Sequence, residues 1–309
     1  MKTVRVFAPA TVSNVNCGFD VLGFAMEGPG DEVEITLTKG KEVRIVSIEP
    51  QGVNLTTNAR KNTSGVAILS FLDQIGERQG VDIVLKKNLP LGSGMGSSGA
   101  SAAAALVAIN HAMGNPLTKE QLVPHAMEAE RMACGSAHAD NVAPSILGGF
   151  VLIRSYNPLD VVHIPSKADL WCTLVHPHLE LRTEDSRRVL KSEVPLKDTI
   201  TQTGNIAALM IGLMMPDYKL ISRSLVDVVA EPLRSGFIPG FNVMKSKSSA
   251  LGALGFGISG SGPSVFALST TQKIAEAVGV AIQKEFSAHD ISSDQFISAI
   301  SGRGARVID

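Results

Sequence analysis

The segment from Gly92 to Ala105 concentrates the chain's chemical options, since 13 of its 14 residues are Gly, Ser or Ala. Within it, Gly94-Met-Gly96-Ser-Ser-Gly99 satisfies G-x-G-x-x-G, a pattern shared by dinucleotide sites, kinase lids and chance. Context removes the better-known versions. A dinucleotide fingerprint follows its strand directly, and a second strand ends in an acid about 20 residues on. Here Pro90 intervenes, and the acid at that distance, Glu120, opens a predicted helix. No Lys follows the glycines as a Walker loop requires, and Ser97, Ser98 and Ser101 all miss the G-x-S-x-G of a nucleophile elbow. What remains is general phosphate-loop physics. Glycines admit a polyphosphate close to the backbone, and N–H groups at a helix start point at the anion. Ser97 and Ser98 add hydroxyl donors or an oxygen ligand for Mg²⁺. The bland alternative is a packing segment whose small residues only permit close approach.

Elements must present such a loop. Val81 to Leu85 reads as a strand leading in, and the alanines after Gly99 continue through Leu106-Val-Ala-Ile-Asn-His as a helix, Ala having the highest helix propensity. Thr118 to Gln121 has capping-box form and starts a helix through about Arg131. Upstream, Val4 to Phe7 predicts a short strand, and Ala8 to Gly23 shows no period and is expected to be a functional loop. Glu32 to Leu37 and Val43 to Ile48 alternate around Thr38-Lys-Gly-Lys, which predicts a hairpin. Asn62 to Leu72 reads as helix and Gly148 to Arg154 as strand. Leu170 to Val175 begins a second half, where helices near Ile206 to Met214 and Ile274 to Phe286 flank strands at Gly255 to Ser259 and Val265 to Leu268. The expectation is an α+β protein in two lobes, divided near residue 166 into 1–166 and 167–309.

Composition fits a globular chain: 44% hydrophobic and 18% charged residues lie far from a disordered mix. Lys and Arg number 28 against 29 Asp and Glu, so a net charge of −1 offers no general attraction to nucleic acid or anionic membrane. Any phosphate must be held locally. Cys17, Cys134 and Cys172 are scattered and odd in number, against a disulfide framework or thiolate metal site. The N-terminus lacks an apolar signal core and no long apolar run appears, so a cytoplasmic protein is expected. His176 and His178 are spaced as a metal pair, but no third ligand is evident.

Three separated segments resemble one family. Leu89-Pro-Leu-Gly-Ser-Gly-Met-Gly-Ser-Ser-Gly-Ala-Ser is similar to the phosphate loop of the GHMP kinases, Ala8-Pro-Ala-Thr-Val-Ser-Asn-Val-Asn-Cys-Gly-Phe-Asp20 to their N-terminal motif, and Gly257-Ile-Ser-Gly-Ser-Gly-Pro-Ser-Val-Phe to their C-terminal glycine motif. Within that group, His138-Ala-Asp-Asn-Val-Ala-Pro-Ser-Ile-Leu-Gly-Gly and Glu231-Pro-Leu-Arg-Ser-Gly-Phe-Ile-Pro-Gly look like the branch that phosphorylates homoserine. One departure is Gly99, where the family loop usually has Ala.

The resemblance implies an N-terminal lobe like domain 2 of ribosomal protein S5, with a left-handed βαβ crossover, and a ferredoxin-like C-terminal lobe. It implies ATP as co-substrate, Mg²⁺, L-homoserine as acceptor and a homodimer. By family position, Asn14, Asp20, His138, Asn141, Arg187 and Arg234 face the amino acid, the arginines suiting its carboxylate because a guanidinium can bind two oxygens at once. The nucleotide would lie on Pro90, Leu91, Gly92, Ser93, Gly94, Met95, Gly96, Ser97, Ser98, Gly99 and Ala100, with Lys87 as a cation and Asn62 near the adenine. Ser98 and Glu130 would hold Mg²⁺; Glu128 and Glu130 cannot share a helix face, so one of them points inward. Arg182 and Arg188 are expected on solvated faces. Counting back from Gly148-Gly149 puts Asn141 where related kinases carry a basic Asp, with Asp140 adjacent. The expectation is that no side chain acts as base and that Asn141, Ser98 and Glu130 work by positioning and charge, which a loose phosphoryl-transfer transition state tolerates. Other acceptors (mevalonate, shikimate, a sugar) and a non-catalytic sensor are the competing readings.

Overall fold

The computed structural model describes residues 2–135, 138–181 and 183–308. Arg182 and the side chain of Cys134 lie outside the described residues.

The first sheet grows from β1 (Thr3–Ser13), β2 (Leu22–Thr38), β3 (Val43–Glu49) and, after α1 (Thr63–Gln74), β4 (Gly80–Lys86). Next come α2 (Ser97–Ala112), α3 (Lys119–Cys134) and α4 (Ala139–Leu147), then β5 (Phe150–Tyr156) and β6 (Leu159–Ile164). The second lobe carries β7 (Trp171–Pro177), α5 (Thr183–Arg188), α6 (Leu196–Met214), α7 (Tyr218–Ser224), α8 (Glu231–Arg234) and α9 (Phe241–Ala250). It continues through β8 (Gly255–Ile258), β9 (Val265–Ser269), α10 (Gln272–Ser287) and β10 (Ser293–Ala299), and β11 (Arg306–Ile308) follows.

Two strand expectations need correction. β1 runs on to Ser13 because Ala8, Ala10 and Val12 continue into the core, so the loop is confined to residues 14–21. β2 and β3 form no hairpin: the order is β11-β1-β2-β4-β3, with β4 inserted antiparallel to β2 and parallel to β3. Alternation reports that one face is buried, not which strand is the neighbour. A parallel pair also needs a crossover, which α1 provides. The central segment, to which the sequence pattern assigns no element, contains helix α4, buried on Ala139, Val142, Ala143 and Ile146.

The second sheet has order β10-β7-β9-β8, all antiparallel. With α6 and α9 before β8 and α10 before β10, this is the ferredoxin-like βαββαβ arrangement. We propose the lobe division at residue 166, between β6 and β7, with β11 returning across it to pair antiparallel with β1, Phe7 opposite Arg306. The larger core surrounds α2, on which every residue except Ser98 and His111 is buried. Its alanines let α1, α3 and the sheet approach closely, and Ser98 is left facing the cleft.

Candidate active site

The N-cap of α2 is Gly96, at φ 67°, with no side-chain cap, so the first-turn N–H groups stay open to a ligand. A Cβ at Gly96 would lie 2.0 Å from Thr11 Oγ1, and one at Gly94, φ 75°, would lie 2.5 Å from the Ser259 carbonyl. Both positions need glycine for backbone sign and for space. The second lobe closes on this loop: Ser259 Oγ donates to Gly94 O at 2.7 Å, and the Ser264 N–H donates to Ser93 O at 3.4 Å. Ser97 spends its hydroxyl on Leu89 O at 3.2 Å. The Glu130 carboxyl is pushed up by burial and drawn back by the neighbouring Ser98 hydroxyl and by Lys87. Among the described residues Glu130 Oε1 is buried with no hydrogen-bond partner, whereas Glu128 is exposed beside Arg131. An orphaned carboxylate oxygen beside a serine hydroxyl suits a hard divalent cation that keeps most of its other ligands from phosphate and water.

Lys87 does not reach the cleft. Its ammonium pairs with the Asp31 carboxylate and donates to Ser97 O at 2.6 Å and Ser101 Oγ at 3.0 Å, so all three protons are used inside the protein. Asp31, fully buried, needs that counter-ion, and the pair braces the start of α2 from beneath. Asn62 is likewise not on the cleft: it caps α1, accepting from Ser64 N at 3.0 Å and donating to Thr56 O at 3.0 Å. Pro90, Met95, Gly99 and Ala100 shape the loop from behind. A Cβ on Gly99 would meet Val142 Cγ1 at 3.1 Å, so the missing methyl lets α2 approach α4.

β1 ends in a tight turn in which Asn14, Val15 and Asn16 have φ of 72°, 40° and 56° and Asp20 has 58°. A β-branched residue there is strained, and the surroundings must hold it. Val15 is fully buried, and Asn14 donates to Gly260 O at 2.7 Å while accepting from Asp20 N at 2.9 Å. Asp20 receives Arg187 Nη2 at 2.8 Å, and its carbonyl accepts from the Tyr156 hydroxyl at 2.8 Å. Arg187 Nη2 also lies 3.2 Å from His138 Nδ1, which must accept there because a guanidinium only donates. Burial and Arg187 push His138 down, against Asp20. It is a neutral imidazole at neutral pH.

Arg234, on α8, is buried and donates to Ser186 O at 3.0 Å and Gly260 O at 3.3 Å. Burial and then Arg187 pull it below the ordinary arginine range, offset by Asp20, Asp227 and Asp140. Asp227 accepts the N–H groups of Val229, Ala230 and Glu231 and so fixes the start of α8. Arg188 faces away, with Glu184 and Asp185. At the start of α4, Asp140 is 2% exposed with Oδ1 unpartnered among the described residues; burial and then Asp20 push its carboxyl up to about 7. Asn141 Oδ1 accepts from Thr11 Oγ1 at 3.3 Å.

These groups line a single cleft of about 840 Å³: Asn14, Asp20, Leu91 to Gly94, Gly96 to Ser98, Glu130, His138, Asn141, Arg187 and Arg234. Ser13, Asp140, Gly260 and Ser261 also line it without having been nominated as ligands. Ser13, Gly260 and Ser261 sit inside the resembling motifs, which was the available signal. His176 and His178 lie off the cleft, with Ser264 at 3.2 Å and Asp294 at 2.8 Å as partners. Among the described residues no three His, Cys, Asp or Glu side chains cluster as a metal site.

The GHMP kinase N-terminal domain model matches residues 62–149, and the GHMP kinase C-terminal model matches 218–288. The homoserine kinase of Chlorobaculum tepidum is 54% identical over 100% of this chain and 99% of its own. The chain belongs to the homoserine kinases of the GHMP family. A homoserine kinase of Xylella fastidiosa is 38% identical over 98% of this chain and 94% of its own. The crystal structure of the homoserine kinase from Cytophaga hutchinsonii superimposes with a TM-score of 0.96 at 51% identity, covering 100% of this chain and 98% of that one. The L. major mevalonate kinase solved with R-mevalonate, at 15% identity and a TM-score of 0.72 over 96% of each chain, shares the GHMP fold alone.

Proposed function

We propose that this homoserine kinase chain uses the cleft to transfer the γ-phosphoryl of ATP to the side-chain hydroxyl of L-homoserine, giving ADP and O-phospho-L-homoserine for threonine biosynthesis. The observation that carries the reading is the meeting, in one cleft, of an uncapped glycine-opened helix N-terminus with Arg187, Arg234, Asp20 and Asp140. The first suits a polyphosphate, the second a zwitterion.

ATP phosphates lie on residues 91–98 and accept from the first N–H groups of α2. Ser98 and Glu130 would hold Mg²⁺, which when bound neutralises charge on the phosphates. Arg234 and Arg187 take the homoserine carboxylate, and Asp20 and Asp140 take its ammonium. Asn141 and His138 orient the hydroxyl in line with the γ-phosphorus. As the new P–O bond forms, the bond to ADP breaks and the hydroxyl proton leaves late, to a phosphate oxygen. Positioning and the loop's N–H groups then provide most of the catalysis.

A homodimer fits the outer face of α6, where Leu196, Ile200, Ile211 and Met214 are 75%, 65%, 51% and 46% exposed. Their positions are symmetric about Gly204 to Ala207, so two copies packed antiparallel would set large side chains against large and small against small. Buried thiols at Cys17 and Cys172 suit a reducing cytoplasm, and no described helix is long and apolar enough to cross a membrane.

A coupled ADP-release assay over homoserine, mevalonate, shikimate and a hexose, with and without Mg²⁺, tests the reading. Turnover with homoserine alone is expected. Turnover only with a sugar would sink it, and tight homoserine binding without ADP release would favour a sensor.

A further inference from the structure

Phe19 takes no part in phosphoryl transfer, yet it lies in the strained turn directly before Asp20, half-buried, and its ring faces both substrate-side arginines. The Arg234 guanidinium carbon is 5.1 Å from the ring centroid and that of Arg187 is 5.9 Å away. Two cations that serve one carboxylate must be kept close against their own repulsion, and each is lightly restrained here. Arg234 is committed through Nε and Nη1 to neutral carbonyl oxygens. Arg187 has one nitrogen on Asp20, while its Nε is buried without an acceptor among the described residues. Among the described residues neither arginine holds a two-pronged ion pair with a carboxylate. The Phe19 ring is the group both contact, and the negative quadrupole of its faces attracts both charges without competing for the hydrogen-bond donors the substrate needs.

We infer that Phe19 is a positioning residue that holds Arg187 and Arg234 together as one carboxylate-binding fork and thereby sets the preference for an α-amino acid over a plain amino alcohol. The inference rests on the assignment of both arginines to the homoserine carboxylate. An aliphatic side chain at this position would fill the space without attracting the guanidiniums, so the fork would spread.

The test uses the full chain with Phe19→Leu and Phe19→Tyr, assayed with homoserine and with aminopropanol, which is homoserine without its carboxylate. Phe19→Leu should raise KM for homoserine about 10-fold, as loss of two partly desolvated cation–π contacts implies, with kcat and the KM for ATP within about twofold. Phe19→Tyr, which keeps the ring, should restore KM, and kcat/KM for aminopropanol should be alike in all three proteins. Equal loss with both acceptors, or equal loss in the Leu and Tyr variants, would overturn the inference. Should Phe19→Leu fold poorly, Phe19→Met together with calorimetric homoserine binding gives the same comparison. A wild-type enzyme that used aminopropanol as well as homoserine would instead overturn the carboxylate assignment on which the inference rests.

Discussion

Ser98 and Glu130 illustrate how far single residues carry the site. Ser98→Ala and Glu130→Gln should each lower turnover most at limiting Mg²⁺ without lowering the thermal unfolding midpoint, because oxygen ligation and not packing is lost. Normal activity at limiting Mg²⁺ in both would remove them from the site. Arg234→Leu should raise KM for homoserine by roughly 10- to 100-fold, the worth of a charge-assisted bond left unmade, and raise that for ATP far less. Equal changes in the two constants would indicate a structural role. Asp140 carries the pH dependence. Its carboxyl titrates near 3.8 in the unfolded chain and at about 7 in the native cleft. Below about pH 4 it is protonated in both states, and as pH rises through 7 the unfolded chain gives up its proton first, so native stability falls. At about 1.4 kcal/mol per unit the loss reaches about 4 kcal/mol above neutrality. Asp140→Asn should therefore unfold at a higher temperature than wild type at pH 8, with the gap closing toward pH 4. Its kcat should survive while KM for homoserine rises. A folded variant with intact binding and about 10³-fold lower kcat would make Asp140 the base. Residue types were legible where a motif enclosed them, as with Asn14, Asp20 and Arg234. The place of Lys87 is not legible, because a strand-end lysine looks the same in sequence whether it meets a phosphate or a buried aspartate, and Asp31 lies 56 residues away.

Among the elements, α2 was legible in full because its cause is local: glycines, then alanines, with no interruption. The capping box at Thr118 was legible for the same reason, and both of its reciprocal hydrogen bonds are formed. β3 was legible as a strand but not in its partner, since a seven-residue alternation is equally consistent with a hairpin and with a crossover to β4. Helix α4 was hidden by Pro144, which sits inside it. The junction between α2 and its loop gives the sharpest test at this scale. Gly96→Ala must accept a positive φ and a methyl 2.0 Å from Thr11 Oγ1, whereas Gly99→Ala keeps an ordinary helical φ and meets Val142 Cγ1 at 3.1 Å, which must give by only a few tenths of an ångström. The first should raise KM for ATP more than 10-fold, an order-of-magnitude figure for a displaced phosphate loop, and lower the unfolding midpoint, strain at such a site costing about 1–2 kcal/mol. The second should change KM for ATP by less than about threefold. Steady-state kinetics and thermal melts on both variants check the contrast, and equal effects would place the strain elsewhere.

For the whole molecule, two lobes were legible from the second run of strands and helices, but the joining of their surfaces was not. Gly260 accepts from Asn14 and Arg234, and Ser259 holds Gly94, so residues from both lobes complete the cleft through contacts distant in sequence. The α6 face belongs to this scale too. On the proposed dimer, Ile200→Glu should shift sedimentation from dimer to monomer; an unchanged dimer would move the interface elsewhere, and a monomeric wild type would remove the proposal. Strand β11 carries a different implication. β1 gains its outer neighbour only when Arg306, Val307 and Ile308 are present, after every strand of the second sheet. On the ribosome, then, the nascent first lobe must wait with β1 as a bare edge while the rest is translated, exposed to pairing with another copy. Protection of that edge falls to whatever shields emerging chains, and slower decoding of the second lobe would lengthen the interval of risk.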